Sequence, residues 1–501
     1  MKKPLLEIIV FVCGALVMVF ELVGARILGP YVGTSLFIWT SLIGIILGSL
    51  SLGYWLGGKV ADKKPNYTIF ATIILLAGLS VLFTAVIKDP LLNRLSYRIN
   101  DIRILSILAS IILFAPGSVF LGMVSPYAVK LKLQSLNQSG RTVGNLYALS
   151  TIGSIAGTFT AGFYLIPTFG TNRIVYVISL LLMAIALLTF LLKRNKWGSI
   201  SSVVFILFLC SIFWLRGNVN TKIVDTDTLY NRVMIYHTTD YKTGRKIKLL
   251  QINDERSSAI FPDSDELVFD YLKYYHLAAH FKPDFSKALM IGGSGYTYPR
   301  DYLKKYPDAA IDVVEIDAQL TELAKVHFGL KENPRLNIIH EDGRTFLNRN
   351  REKYDVIFMD AFHSQFTVPF QLTTRECVAQ QYAALNEGGL VIANVIATLD
   401  GVNDDYLQAQ ALTYAEVFPQ VRFFAVDDPE NKKLFQNIMI VAIKDKTPPE
   451  LISPDEELNV FLSHHIQLEL RKDMPVLTDD YAPVEYYANR SMAAYLDLFT
   501  K

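Results

Sequence analysis

At 501 residues, 51% of them hydrophobic, the chain is too long for one ordinary domain and too apolar for two water-exposed ones. A formal net charge of +1 gives no electrostatic case for a nucleic-acid partner. Cys13, Cys210 and Cys377 are too scattered for a disulfide framework or a metal-ligand pattern, so they read as small core residues and no metal is expected.

The apolar residues concentrate in 1–217. Seven runs approach the roughly 20 residues needed to cross a bilayer: 6–28, 36–55, 69–87, 104–123, 146–166, 174–192 and 200–215. Lys2 and Lys3 ahead of the first run resemble the start of a signal peptide, but six further runs argue for a multi-pass protein of the cell membrane held in the lipid bilayer. Gly44/Gly48, Gly53/Gly57 and Gly153/Gly157 form GxxxG pairs, which predict close helix crossings. Glu21 and Arg26, five residues apart, are poorly spaced to pair on one helix face and call for partners elsewhere or for the interface. Basic residues put the amino terminus in the cytoplasm. Seven spans then leave the carboxy-terminal half on the opposite side, and six would leave it on the same side. The stretch from Gly57 to Lys64 resembles the loop between the second and third helices of major facilitator transporters, whose fold has twelve spans.

After Arg216 no such run recurs. Residues 218–286 read as a small β-unit followed by a helix. The strand-rich 232–236 and 247–252 flank a turn-like segment from Thr239 to Gly244, and apolar residues at helical spacing follow over 265–280. Residues 287–501 then alternate strands and helices, the pattern of a mainly parallel sheet with helices on both faces, a Rossmann-like α/β domain. An apolar strand at 288–291 runs into the glycine turn Gly292-Gly293-Ser294-Gly295. A second strand at 311–314 ends in Glu315, 23 residues after Gly292. An acid about 20 residues beyond such a turn can accept hydrogen bonds from both ribose hydroxyls of a nucleoside. Further strands at 336–340 and 354–360 end in Asp342-Gly343 and Asp360. Ligands of such sheets bind outside the carboxyl ends of the strands, so Gly292, Glu315, Asp342 and Asp360 are expected on one edge.

The segments MIGGSGYTYPR, VVEIDA, HEDGRTFL and YDVIFMDAF, in this order, resemble the spermidine synthase family, and the whole chain resembles its membrane-fused members. The closing run from Leu477 to Glu485 has the same likeness. The resemblance implies a methyltransferase-type fold and an aminopropyl transfer from decarboxylated S-adenosylmethionine to a small amine or polyamine such as putrescine, with self-association left open. It implies that Gly292, Gly293 and Gly295 form the donor turn, that Glu315 holds the ribose and that Asp342 and Gly343 read the adenine. Asp360 would take the proton of the attacking amine, and Asn231 would touch the substrate. Two family acids are replaced, one by Gly295 and one by His363. A family Tyr-His pair becomes Phe269-Asp270, so Asp270 is an added acid. His363 and Asp270 thus join Asn231 as expected substrate-site residues.

The donor of such a reaction is a sulfonium, and the enzyme must chiefly align nucleophile, carbon and sulfur. Asp360 suits the base role only if the site raises its reference pKa of about 4 or the amine arrives neutral. Two other readings stay open. Ordinary S-adenosylmethionine could give up a methyl group on the same fold. Alternatively, the bundle could be a transporter or sensor carrying a non-catalytic nucleoside-binding domain.

Overall fold

The computed structural model describes residues 3–32, 36–99, 101–133, 139–192, 200, 203–204, 207, 222–253, 255–361, 368–447 and 450–497. The chain forms two compact units, Met1–Thr221 and Lys222–Lys501.

The first unit is helical. It comprises α1 (Lys3–Val32), α2 (Leu36–Lys63), α3 (Tyr67–Arg98), α4 (Ile102–Lys132), α5 (Ser139–Thr160) and α6 (Thr171–Leu192). Among the described residues five of these, all but α5, are long and apolar enough to cross a membrane. Five of the seven expected runs coincide with these helices. The run at 146–166 falls on α5, which continues through a π-helical turn at Ala161–Leu165 and carries too many Ser, Thr and Gly residues to match the others. The run at 200–215 lies largely outside the described residues. The Gly57–Lys64 segment is also not a loop. α2 continues to Lys63, and the Asn66 side chain caps α3 by accepting from the Thr68 N–H at 2.8 Å.

Several charges in the first unit are paired. Lys132 meets Glu7, and Lys130 meets Asp62 at 2.7 Å. Lys88 and the Tyr31 hydroxyl both reach Asp89 at 2.6 Å.

Two of the three glycine pairs work as expected. A Cβ at Gly153 or Gly157 would lie 2.1 or 2.3 Å from the Phe11 or Ala15 carbonyl oxygen of α1. At Gly53 and Gly57 it would lie 2.3 and 2.7 Å from carbonyl oxygens of Val119 and Met123 on α4. At Gly44 and Gly48 it would meet nothing within 4 Å, so among the described residues this pair makes no close crossing. Overpacking costs about 1–3 kcal/mol. Gly157→Leu is therefore expected to lower the melting temperature in detergent, and Gly48→Leu to leave it nearly unchanged. Equal melting of both variants would refute the assigned crossing.

The second unit opens with an antiparallel sheet of β1 (Lys222–Asp227), β2 (Arg232–Thr239), β3 (Lys246–Ile252) and β4 (Glu255–Ile260), in that order. The helix expected over 265–280 is two short pieces, α7 (Asp270–Tyr274) and α8 (Leu277–Phe281). The chain tightens at Tyr275 and His276, whose N–H groups bond three residues back, to Leu272 and Lys273.

The main sheet starts with β5 (Lys287–Ile291), α9 (Thr297–Lys305), β6 (Ala310–Val314), α10 (Ala318–His327) and β7 (Leu336–Ile339). It continues with α11 (Gly343–Arg349), β8 (Tyr354–Met359), α12 (Arg375–Ala384), β9 (Leu385–Ala397) and α13 (Asp405–Val417). It closes with β10 (Gln420–Ala425), β11 (Gln436–Ile443), α14 (Glu456–Ser463), β12 (His465–Ile466) and α15 (Val484–Asp497). The strand order is β12-β10-β11-β9-β8-β5-β6-β7. Strands β9, β8, β5, β6 and β7 are parallel, and β10, β11 and β12 add an antiparallel flank. Every residue of β8 is buried, as a central parallel strand requires. Val233, Ile235 and Leu250 of the small sheet share one apolar core with Met290, Tyr296 and Val313. That shared core fixes β4 against the glycine turn.

Candidate active site

Gly292, Glu315, Asp342 and Asp360 each follow directly, or within three residues, the last residue of β5, β6, β7 and β8. They line one cavity of about 440 Å³, a size suited to a small-molecule ligand. Gly293, Gly343, Asn231 and Asp270 line it too.

Gly292 has φ +99°, and a Cβ there would sit 2.3 Å from the Asp360 carbonyl oxygen. Only glycine allows β5 and β8 to end this close together. Ser294 and Tyr296 also hold positive φ, +46° and +56°, which costs energy in residues with a side chain. The surroundings hold this strained turn in place. Glu315 Oε2 accepts from the Gly293 and Ser294 N–H groups at 2.9 and 2.8 Å, and its Oε1 accepts from Asp317 N–H at 2.9 Å. Ser257 and Ser258 of β4 reach the Ser294 hydroxyl at 2.6 and 3.1 Å. The Tyr296 hydroxyl meets Thr321 at 2.7 Å. Burial pushes the Glu315 carboxyl up, and these backbone donors pull it back. Glu315 thus builds the turn as well as facing the cavity.

Gly295 does not line the cavity. Its N–H donates to Ser258 Oγ at 3.0 Å, and a Cβ there would be 2.6 Å from the Ser258 Cβ. Its small size seats β4 on the turn. Asp342 caps α11, with Oδ1 accepting from the Thr345 N–H at 2.8 Å and from its hydroxyl at 3.0 Å. A Cβ at Gly343 would lie 2.6 Å from Ile291 Cγ2, so glycine lets α11 start against the end of β5.

Asp360 is the most perturbed acid at the strand ends. Burial pushes its carboxyl up to about 6, against the pull of hydrogen bonds from Asn394, Tyr271 and Tyr275. Tyr271 donates to Oδ2 and Asn394 to Oδ1, both at 3.2 Å, and Asn394 in turn accepts from Asn437 at 2.9 Å. Sequence reasoning missed this Asn437–Asn394–Asp360 chain and the Tyr271 hydroxyl. Asn394 and Asn437 sit within or beside nearly continuous apolar runs of β9 and β11, which hid them.

Asp270 lines the cavity already paired with two lysines. Burial alone would raise its carboxyl, but Lys242 at 2.7 Å and Lys273 at 3.0 Å hold it below the ordinary value. Lys242 also pairs with Asp427. Asn231 accepts from Asn253 at 2.9 Å beside the cavity. Asp317, which the sequence reading passed over, is 1% exposed and accepts from the Thr228 hydroxyl, joining the small sheet to the tip of β6. His363 lies outside the described residues. Among the described residues no cluster of three His, Cys, Asp or Glu side chains could hold a metal ion.

The strand ends thus bring a glycine turn, the acid after the second strand and a raised carboxylate after β8 to one cavity of an α/β domain. Residues 273–450 match the model of the spermine/spermidine synthase domain. The polyamine aminopropyltransferase of Vibrio vulnificus is 23% identical over 230 residues, covering 44% of this chain and 73% of that protein. Polyamine aminopropyltransferase 2 of Aquifex aeolicus is 23% identical over 401 residues, covering 77% of this chain and 78% of its own length. That match is longer than the second unit, so it runs into the apolar first half. A solved probable spermidine synthase from Corynebacterium glutamicum is 24% identical, covering 48% of this chain and 84% of that one, with a TM-score of 0.39. The second unit thus carries a match to the spermine/spermidine synthase domain and is similar to transferases of the polyamine aminopropyltransferase type.

Proposed function

We propose that the chain is a membrane-anchored transferase that moves an aminopropyl-type group from an adenosyl sulfonium to a small amine. The observation that carries this reading is the carboxylate of Asp360, raised to about 6 and opening on the same cavity as Glu315, Asp342 and the glycine turn. Glu315 would accept from the ribose hydroxyls, and Asp342 with Gly343 would meet the adenine. Asn231 would meet the substrate chain. The amine nitrogen would attack the carbon next to the sulfonium sulfur. An N–C bond forms, the C–S bond breaks with its electron pair going to sulfur, and a neutral thioether leaves. The nitrogen's surplus proton passes to Asp360. Decarboxylated S-adenosylmethionine and putrescine are the donor and acceptor that the similarity to polyamine aminopropyltransferases supports. The first unit would anchor the domain at a cell membrane.

Binding tests the nucleoside half of this reading. The full-length chain in detergent is expected to bind methylthioadenosine, the thioether product, at one site per chain by calorimetry. No detectable heat at millimolar ligand would overturn the reading.

A further inference from the structure

We propose that Arg256 of β4 holds a carboxylate on the donor, so that the site takes S-adenosylmethionine with its amino-acid end intact in preference to the decarboxylated compound. This rests on the adenosyl reading above and specifies its substrate. Arg256 lines the cavity, and its Nε is buried with no hydrogen-bond partner. Among the described residues it makes no ion pair. The nearby acid Asp240 accepts from the Thr243 N–H and hydroxyl at 2.8 and 2.7 Å. The other cation of the cavity, Lys242, is shared between two aspartates. A buried guanidinium N–H without a partner is costly, and an anion arriving with the ligand would satisfy it.

Position says which part of the ligand would carry the anion. Ser257, next to Arg256, is hydrogen-bonded to Ser294, so this stretch of β4 stands at the glycine turn after β5. Asp342 and Gly343 follow β7, two strands away beyond β6. A nucleoside whose base lies toward β7 and whose ribose meets Glu315 directs its sulfonium arm toward the turn, Asp360 and Arg256. Both donors carry the same ammonium, which Glu255 or Asp360 of the cavity could meet, so the carboxylate is the group by which Arg256 would tell them apart. With a carboxylated donor, attack on the same carbon forms the N–C bond and breaks the C–S bond as before. It delivers a 3-amino-3-carboxypropyl group and releases methylthioadenosine, and the amine's proton passes to Asp360.

Calorimetry on the full-length chain in detergent tests this with three ligands: S-adenosylmethionine, its decarboxylated form and methylthioadenosine, which has no arm. The carboxylated donor is expected to bind at least about tenfold tighter than the decarboxylated one. Arg256→Gln should remove that preference and leave methylthioadenosine affinity unchanged, which also shows that the variant is folded. Arg256→Lys should keep part of the preference. Equal or tighter binding of the decarboxylated donor by the unsubstituted chain overturns the inference while the adenosyl reading stands, as does a preference that survives Arg256→Gln. Failure of the unsubstituted chain to bind methylthioadenosine overturns both.

Discussion

Asp360→Asn is expected to abolish group transfer while leaving nucleoside affinity almost unchanged. The substitution keeps the shape of the side chain and can keep its contacts with Tyr271 and Asn394, but an amide cannot take the proton of the attacking nitrogen. A positioned general base contributes about 10²–10⁴-fold to rate, so kcat should fall by at least about a hundredfold. Methylthioadenosine should bind as before, because Asp360 lies beyond the strand ends assigned to ribose and adenine. The pH dependence follows from the raised carboxyl. A base must be ionised to act, and Asp360 loses its proton only as pH rises through about 6. The rate constant kcat/KM of the unsubstituted chain should therefore climb through about pH 6 and level off above it. In the Asn variant any residual rate should lack that step. An undiminished rate in the variant, or an unsubstituted profile flat between pH 5 and 7, would remove Asp360 from the base role.

Glu315→Ala should have the second largest effect, for two reasons that separate experimentally. The carboxylate would no longer accept from the ribose hydroxyls, and hydrogen bonds to a charged group are worth about 1.5–3 kcal/mol, so affinity for methylthioadenosine should fall at least about tenfold. The N–H groups of Gly293, Ser294 and Asp317 would also lose their acceptor. The strained turn at Ser294 and Tyr296 would then be held only by β4 and Thr321, so the melting temperature should drop as well. Glu315→Gln keeps one carbonyl acceptor and should fall between the two in both measurements. Unchanged affinity in the Ala variant would show that the ribose lies elsewhere.

The strand-end residues were legible in the sequence because each combines two local signals, an apolar run and the Gly or acid that ends it. Gly292, Glu315, Asp342 and Asp360 could be aligned on one edge from alternation alone, and Asp360 could be assigned a role before its surroundings were known. Partners that come from distant strands were not legible. Asn394 and Asn437 meet only through the antiparallel pairing of β9 with β11, in a part of the sheet read as simple alternation. Asp270 looked like an additional acid because Lys242, 28 residues earlier, comes beside it only when the β2–β3 turn folds over the cavity. Gly295 looked like a donor contact because the motif names a position in the chain, whereas its contact with Ser258 depends on how β4 packs. Helix crossings in the first unit show the same limit. Spacing identified three glycine pairs equally, and only the three-dimensional packing separates the two in close contact from Gly44 and Gly48, which make none among the described residues.

The most direct test of the account is product analysis by mass spectrometry on the full-length chain in detergent, supplied with a diamine and both S-adenosylmethionine and its decarboxylated form. The account predicts methylthioadenosine that appears only when the diamine is present, in equal amount to a diamine whose mass has grown by the transferred arm, and neither product from Asp360→Asn. Methylthioadenosine formed without the amine, a methylated amine with S-adenosylhomocysteine, or no turnover from a chain that binds methylthioadenosine would each contradict it.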